Sequence, residues 1–356
     1  MAYTTINKQT DYFNTQLYTG NGSSSQSITG VGFQPDLVWL KNRSAVAGNH
    51  LSDSVRGKSG SNYYTLVTDT NAAQAVQGDN DGINTLGTDG FSVGYTNSTA
   101  WNNNGNNYVS WNWKAGTTGS GTTTGSGTGK AYSYSVNTTA GFSIIKYVGN
   151  GTAGHTLPHH LGAVPEWILV KDLDATVNWQ MYHVKTGNDY TTEINITNAP
   201  FSSNSRWNNT TPTSTVVTFG DGNNVNNNNT NYIMYAFAPK TGYSRFGQYT
   251  GNGSTTGPFI YTGFKPTFVM TIRKDGTSGR GMLDNKRPGR NVTNQYLLAN
   301  VDQAEASDGS WSMDLLSNGW KARYNNGNFN ADGGTYIYMA FGQSLVGTNN
   351  VPCTAR

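Results

Sequence analysis

The chain has 356 residues and a formal net charge of +3, with only 12% charged and 35% apolar residues. That balance excludes a strong general pull towards nucleic acid or anionic membrane, and no apolar run approaches the roughly 18 residues of a membrane helix. The 9 Trp, 21 Tyr and 13 Phe exclude a disordered chain, and short aromatic and β-branched runs among 44 Gly point to an all-β protein.

Residues 1–13, with Tyr3, Tyr12 and Phe13, precede the first repeated motif and are expected to form an N-terminal docking arm. Their start, MAYTTINKQT, lacks the apolar stretch of a signal peptide. Cys353 is the one cysteine, so no internal disulfide can form. Together these features predict a soluble protein made in a reducing cytoplasm.

Three landmarks then recur in one order. YTGNG stands at Tyr18–Gly22, YVGNG at Tyr147–Gly151 and YTGNG again at Tyr249–Gly253. Each is followed by a Pro-containing apolar run: GFQPDLVWLK from Gly32, GAVPEWILVK from Gly162 and GFKPTFVMTIR from Gly263. Each unit closes on an alternating segment: YVSWNWKAG from Tyr108, YIMYAFAPK from Tyr232 and YIYMAFGQS from Tyr336. Such spacing predicts three tandem domains, at 14–116, 132–242 and 243–346. Residues 117–131, most of which fall in the stretch GTTGSGTTTGSGTGK (Gly116–Lys130), read as a flexible Gly/Ser/Thr linker, and 347–356 as a C-terminal tail. The closing segments alternate with period two and predict strands whose large face (Val109, Trp111, Trp113 and their counterparts) is core. The apolar runs Leu37–Leu40, Trp167–Val170 and Phe268–Ile272 suit strands covered on both faces. The best helix candidates, Asn71–Val76 and Val301–Ala306, are two turns at most. The Gly-Asn-Gly corners read as turns with positive φ.

Each feature that could carry chemistry has a plainer reading. Gly149, Gly151 and Gly154 spell the dinucleotide pattern G-x-G-x-x-G, but no helix opens after them and Pro158 follows. His155, His159 and His160 could suggest a metal; the expectation is a turn with exposed imidazoles. Asp79–Gly82 resembles a calcium-loop fragment without its bidentate Glu. Asp53 and Asp284 match between the first and third units, each with an Arg three residues later (Arg56, Arg287), and read as local ion pairs before a catalytic dyad. The basic stretch Arg273–Arg290 reads as a solvated loop or a contact with an acidic neighbour. No catalytic residue, cofactor or metal is assigned.

The Asn-rich loops 97–107, 221–231 and 323–334 carry a further alternative. They read first as polar loops in which Asn tolerates turn geometry. Asn beside an aromatic face also suits sugars, which present hydroxyls and a C–H face. On that reading the candidate glycan contacts are Trp101, Asn102, Asn103, Trp207, Asn208, Asn325, Asn326 and Phe329.

The stretches QLYTGNGSSSQSITGVGFQPDLVWLKNR, GFSIIKYVGNGTAGHTLPHHLGAVPEWILVKDLD and GYSRFGQYTGNGSTTGPFIYTGFKPTFV, with the ends YVSWNWKAG and YIYMAFGQSLVGTNNVPCTAR, resemble a family of tail-fibre-like virion structural proteins of marine bacteriophages. The resemblance implies concanavalin-like jelly-roll units and a place in a phage particle; it brings no catalytic residues. The expectation is therefore three tandem β-sandwich domains in a non-enzymatic virion protein of the tail fibre, tail tip or capsid surface, synthesised in the host bacterial cytoplasm. It would contact other virion proteins, assemble as a homo-oligomer with a trimer favoured, and touch host surface glycans. A dedicated glycan-binding module is the alternative, and a glycan depolymerase the third reading. No nucleic-acid partner and no membrane insertion are expected.

Overall fold

A computed structural model describes residues 4–95 and 97–346. The described chain is nearly all β, with several antiparallel sheets. The two α-helical segments, Asn204–Trp207 and Asn223–Asn226, are single turns. Neither Asn71–Val76 nor Val301–Ala306 is helical; each is held by an isolated bridge, Thr65 to Ala75 and Tyr296 to Ala306.

The three sequence repeats fold on one plan. In the first, the opening strand Phe13–Thr19 pairs with the closing strand Asn107–Trp113, which pairs with the Pro-led strand Leu37–Asn42, then Asn49–Asp53 and Leu66–Val67. The third repeats this order with Ser244–Thr250, Thr335–Ser344, Phe264–Arg273, Gly281–Asp284 and Leu297–Leu298. The second does so with Phe142–Val148, Asn231–Phe237, Trp167–Asp172, Gln180–His183 and Tyr190–Glu193, and adds strands at both ends. A three-stranded sheet covers one face of each large sheet. Between the two layers of each repeat lies an apolar cluster: Ile28, Val38, Phe91 and Trp101 in unit one; Ile145, Leu157, Ile168 and Phe219 in unit two; Ile260, Val269, Trp320 and Tyr338 in unit three.

The other face of every large sheet is buried too, and there the units meet. Trp111 and Trp113, Tyr235 and Phe237, Met339 and Phe341, which are the large faces of the three closing strands, belong to one cluster shared by all three units. The Trp113 ring contacts Phe237 at 6.1 Å and Phe341 at 5.7 Å, and Phe237 contacts Phe341 at 5.8 Å. These geometries are edge-on, the favoured arrangement of aromatic quadrupoles. This accounts for closing and Pro-led strands that are buried on both faces: one face turns to the unit's own inner layer and the other to the common core.

Two expectations are corrected. Residues 117–131 are not a flexible linker. Thr117–Thr122 pairs in register with Ala131–Asn137, and Thr124–Gly125 pairs with His155–Pro158. Gly119 and Gly121 leave room for the rings of Tyr134 and Tyr132, whose hydroxyls a Cβ at those positions would meet at 2.5 and 2.6 Å. Backbone pairing and aromatic cover from across the strand replace the apolar side chains the segment lacks.

Nor is the described part of the 1–13 arm free to dock elsewhere. Ile6 and Phe13 are buried in the shared core. The Gln9 amide donates to Gln343 Oε1 at 2.9 Å, and the Thr267 hydroxyl donates to Gln9 Oε1 at 2.7 Å. Its apolar residues thus find cover on unit three of the same chain. Tyr3 and the tail 347–356, with Cys353, lie outside the described residues.

A unit cut out of this arrangement exposes its share of the common core. Residues 117–242 expressed alone should aggregate or lack a cooperative melting transition. The intact chain should melt in a single calorimetric transition. Independent melting of the excised unit at the parent temperature would contradict a shared core.

Candidate functional site

The Gly-Asn-Gly corners are built alike in all three units. In unit two the buried Asn226 accepts the Asn150 N–H at its side-chain oxygen (2.9 Å), and its side-chain nitrogen donates to Thr152 O (3.0 Å) and Gly220 O (2.8 Å). Its own carbonyl accepts the Gly151 N–H at 2.8 Å. Asn102 holds Asn21 and Ser23, and Asn330 holds Asn252 and Ser254, by the same bonds. Two tyrosines brace each corner. In unit two they stack at 5.2 Å; Tyr147 donates to Val225 O and Tyr232 accepts the Asn227 N–H. The last glycine of each corner has φ near +70° (+70, +73 and +62), where other residues are strained. The first glycine packs so tightly on the Asn-rich loop that a Cβ would overlap a backbone carbonyl: Asn103 O, Asn227 O or Ala331 O.

Four of the eight predicted glycan contacts are therefore internal. Trp101, Trp207 and Phe329 are fully buried in their units' cores, and Asn102 is a corner clamp. Their aromatic faces are covered by protein and cannot stack on a sugar. Asn103, Asn208 and Asn326 are half-buried and Asn325 is exposed. His155 and His159 are buried rather than exposed. His155 bridges the clamp Asn226 (2.8 Å) and Thr123 Oγ1 (2.6 Å), and His159 reaches Thr213 O at 3.1 Å. Burial lowers the pKa of both, that of His159 to about 4. Among the described residues no group of three His, Cys, Asp or Glu is placed to hold a metal.

Asp53 and Asp284 form buried ion pairs with Arg56 and Arg287. Arg287 and Arg280, in the stretch expected to be solvated, are buried, and Arg280 donates to Glu193 O and Asn198 O of unit two. Strand register reveals a third member of the Asp set. Asp53 lies opposite Leu37 and Asp284 opposite Phe268; His183 lies at the matching place opposite Trp167. Each of the three ties its unit to the next. Asp53 accepts the Tyr235 hydroxyl of unit two at 2.7 Å, and Asp284 accepts the Trp111 indole N–H of unit one at 3.1 Å. His183 Nε2 faces the Tyr338 carbonyl of unit three at 3.3 Å, while its Nδ1 accepts the Lys185 N–H at 3.0 Å. Trp111 and Tyr235 occupy one position of the closing strand; the third unit has Met339 there, which has no N–H or O–H to donate. An imidazole N–H that can reach a backbone carbonyl takes over that bond.

The surface feature that sequence reasoning missed is a cleft of about 700 Å³ along the opening strand of unit three. Arg245, Gly247 and Tyr249 line one side, Phe259 and Tyr261 the other, and Glu166 of unit two reaches its rim. Phe259 and Tyr261 are 47% and 49% exposed, and the Arg245 guanidinium sits 5.7 Å from the Tyr261 ring centre. Burial raises the Glu166 pKa, while Lys185 and Arg245 oppose that shift. Pairing against the closing strands aligns Gly247 with Ile145 and Gln16. In unit one Gln16 packs against Gly30; in unit two Ile145 joins the core. The one sequence signal for the cleft is that glycine.

The sheets and their clusters define a class, an all-β protein of antiparallel sheet pairs around a common core. The chain belongs to the DUF7483 family, a domain of unknown function, whose family model matches residues 8–344 and so takes in all three units. No curated protein and no solved structure matches.

Two outcomes follow from this geometry. Asn226→Ala removes the side-chain bonds to Asn150, Thr152 and Gly220 and should cost about 2–3 kcal/mol in urea unfolding. Asn325→Ala, at an exposed site, should stay within about 0.5 kcal/mol. Separately, burial holds His183 down at about 3 against an ordinary 6.5. The unfolded chain then binds a proton below pH 6.5 that the folded chain refuses until about pH 3. Stability is full above pH 6.5 and falls as pH drops through that window, by about 2 kcal/mol at pH 5 for this residue. Urea unfolding at pH 7 and pH 5 should show a smaller difference for His183→Gln than for the parent.

Proposed function

We propose that this protein is a non-enzymatic structural component of a bacteriophage particle, located at the tail fibre, tail tip or capsid surface. Each unit is, on this reading, a jelly-roll β-sandwich of the concanavalin type. The observation that carries the proposal is the use made of the polar side chains. Asp53, His183 and Asp284 are of the types that perform acid–base chemistry, and all three lie buried, binding one unit to its neighbour. Backbone bonds in turns and loops add further ties between each pair of units. The Ala47 N–H of unit one bonds Asp302 O of unit three, the Gln74 N–H of unit one bonds Leu173 O of unit two, and the Ser278 N–H of unit three bonds Thr197 O of unit two. Glu305 adds ion pairs to Arg43 of unit one and Arg287 of its own unit. A body tied in this way holds a fixed shape under load, as a particle component must. The resemblance of the repeats to tail-fibre-like virion proteins points the same way.

The protein would be synthesised in the host bacterial cytoplasm and incorporated beside other virion proteins as a homo-oligomer, a trimer foremost. A contact with host glycans, if the particle makes one through this chain, lies away from the buried Trp101, Trp207 and Phe329. Mass spectrometry of density-purified particles should find this chain at a fixed ratio to the major capsid protein, and mass measurement of the purified protein should give a multiple of one chain. Its absence from purified particles, with abundance in infected-cell lysate, would overturn the proposal.

A further inference from the structure

The opening strand of unit three ends its sheet, whereas the opening strand of unit two does not. In unit two Phe142–Val148 is covered by Ala131–Asn137, with Ser133 opposite Lys146, Tyr134 opposite Ile145 and Ser135 opposite Ile144. In unit three, bonds from the Gly342 N–H to Tyr243 O and from the Gly251 N–H to Gly334 O fix which residues face the closing strand. By antiparallel alternation, Phe246, Gln248 and Thr250 turn their N–H and C=O groups outward. They are the counterparts of Ile144, Lys146 and Val148, and among the described residues no strand pairs with them. Such an edge is a template for a further strand.

We propose that the Ser244–Thr250 edge docks an extended peptide strand of a partner protein, in antiparallel pairing, as Ala131–Asn137 docks on unit two. The chemistry of the occupant follows from the groove. In unit two the covering strand turns Tyr132, Tyr134 and Val136 into the space between the layers. The residue opposite Gly247 enters the cleft where Ile145 would otherwise stand, beside the exposed Phe259 and Tyr261. An aromatic side chain fills that space, and an aromatic across from an edge glycine is a stabilising cross-strand pair. Charge sets the end of the strand. Lys185, Lys240 and Arg245 line the cleft against the single carboxylate of Glu166. Antiparallel pairing brings the C-terminal end of the partner strand to Ser244 and Arg245, so an acidic residue there completes the match. The sheet thus continues outward across the same edge that unit two has already filled from within the chain.

The probe is a fluorescent peptide with the sequence of residues 131–137 and two Asp residues appended at its C-terminus, titrated into the full chain. It should bind saturably and slow amide exchange at Phe246, Gln248 and Thr250. Gln248→Ala keeps the backbone donor and should change Kd less than about threefold. Gln248→Pro removes that donor at an edge position a strand tolerates, and should weaken binding more than about tenfold at unchanged Tm. Failure to saturate, undiminished binding by a folded Gln248→Pro protein, or unchanged exchange at the three amides would each overturn the proposal. So would displacement of the peptide by an oligosaccharide mixture with Gln248→Ala as damaging as Gln248→Pro, which would mark a sugar site read by side chains. If Gln248→Pro fails to fold, the exchange measurement on the parent chain decides.

Discussion

The structure depends on the burial of one sheet face of each unit against the same faces of the other two. A sheet closed on one side by three short strands still presents Trp111, Tyr235 or Met339 and their neighbours on the other, and water is a poor solvent for such a face. Packing three of them together removes all three from water at once. At the seams Asp53, Asp284 and His183 each reach a partner on the adjoining unit.

That constraint explains why residue types that suggest chemistry in the sequence lie buried and hydrogen-bonded at the seams. An Asp or His beside a buried seam has to find a partner, since an unpaired polar group there costs 1–3 kcal/mol or more. Asp53 and Asp284 find an arginine in their own turn and a donor on the adjoining unit, and His183 meets the same need without a charge. The Gly-Asn-Gly corners obey a related rule. Their backbone amides are turned inward where the chain reverses, and Asn supplies both the acceptor and the donor that such a turn lacks.

Much of the all-β character and the repeat plan was legible in the sequence because period-two alternation and recurring corners are local signals. Closing strands form where the alternation places them, and the Pro-led runs are buried on both faces. What could not be read was what covers each face. The alternation of Val109, Trp111 and Trp113 says that this face is buried, but not that two other units bury it. Residues 117–131 have the composition of a linker, and only the two-residue spacing of Gly119 and Gly121, matched by Tyr132 and Tyr134, hints at pairing. Trp101, Trp207 and Phe329 looked available because their Asn-rich surroundings are polar, yet an Asn-rich loop packs a large ring beneath it as readily as it presents one. The matching of His183 to Asp53 and Asp284 needed strand register, since the residue types differ.

Joining three copies in one chain has a consequence for valency. A ring of identical subunits must carry any altered residue at every copy, so an opening on one would appear on all. Here the position is Gln16, Ile145 or Gly247 according to the copy, and the cleft lies along the copy with glycine. The result is a nearly threefold body with one distinguishable side. An object so marked can be set on a symmetric support in a defined rotational orientation, with a single attachment for every ring.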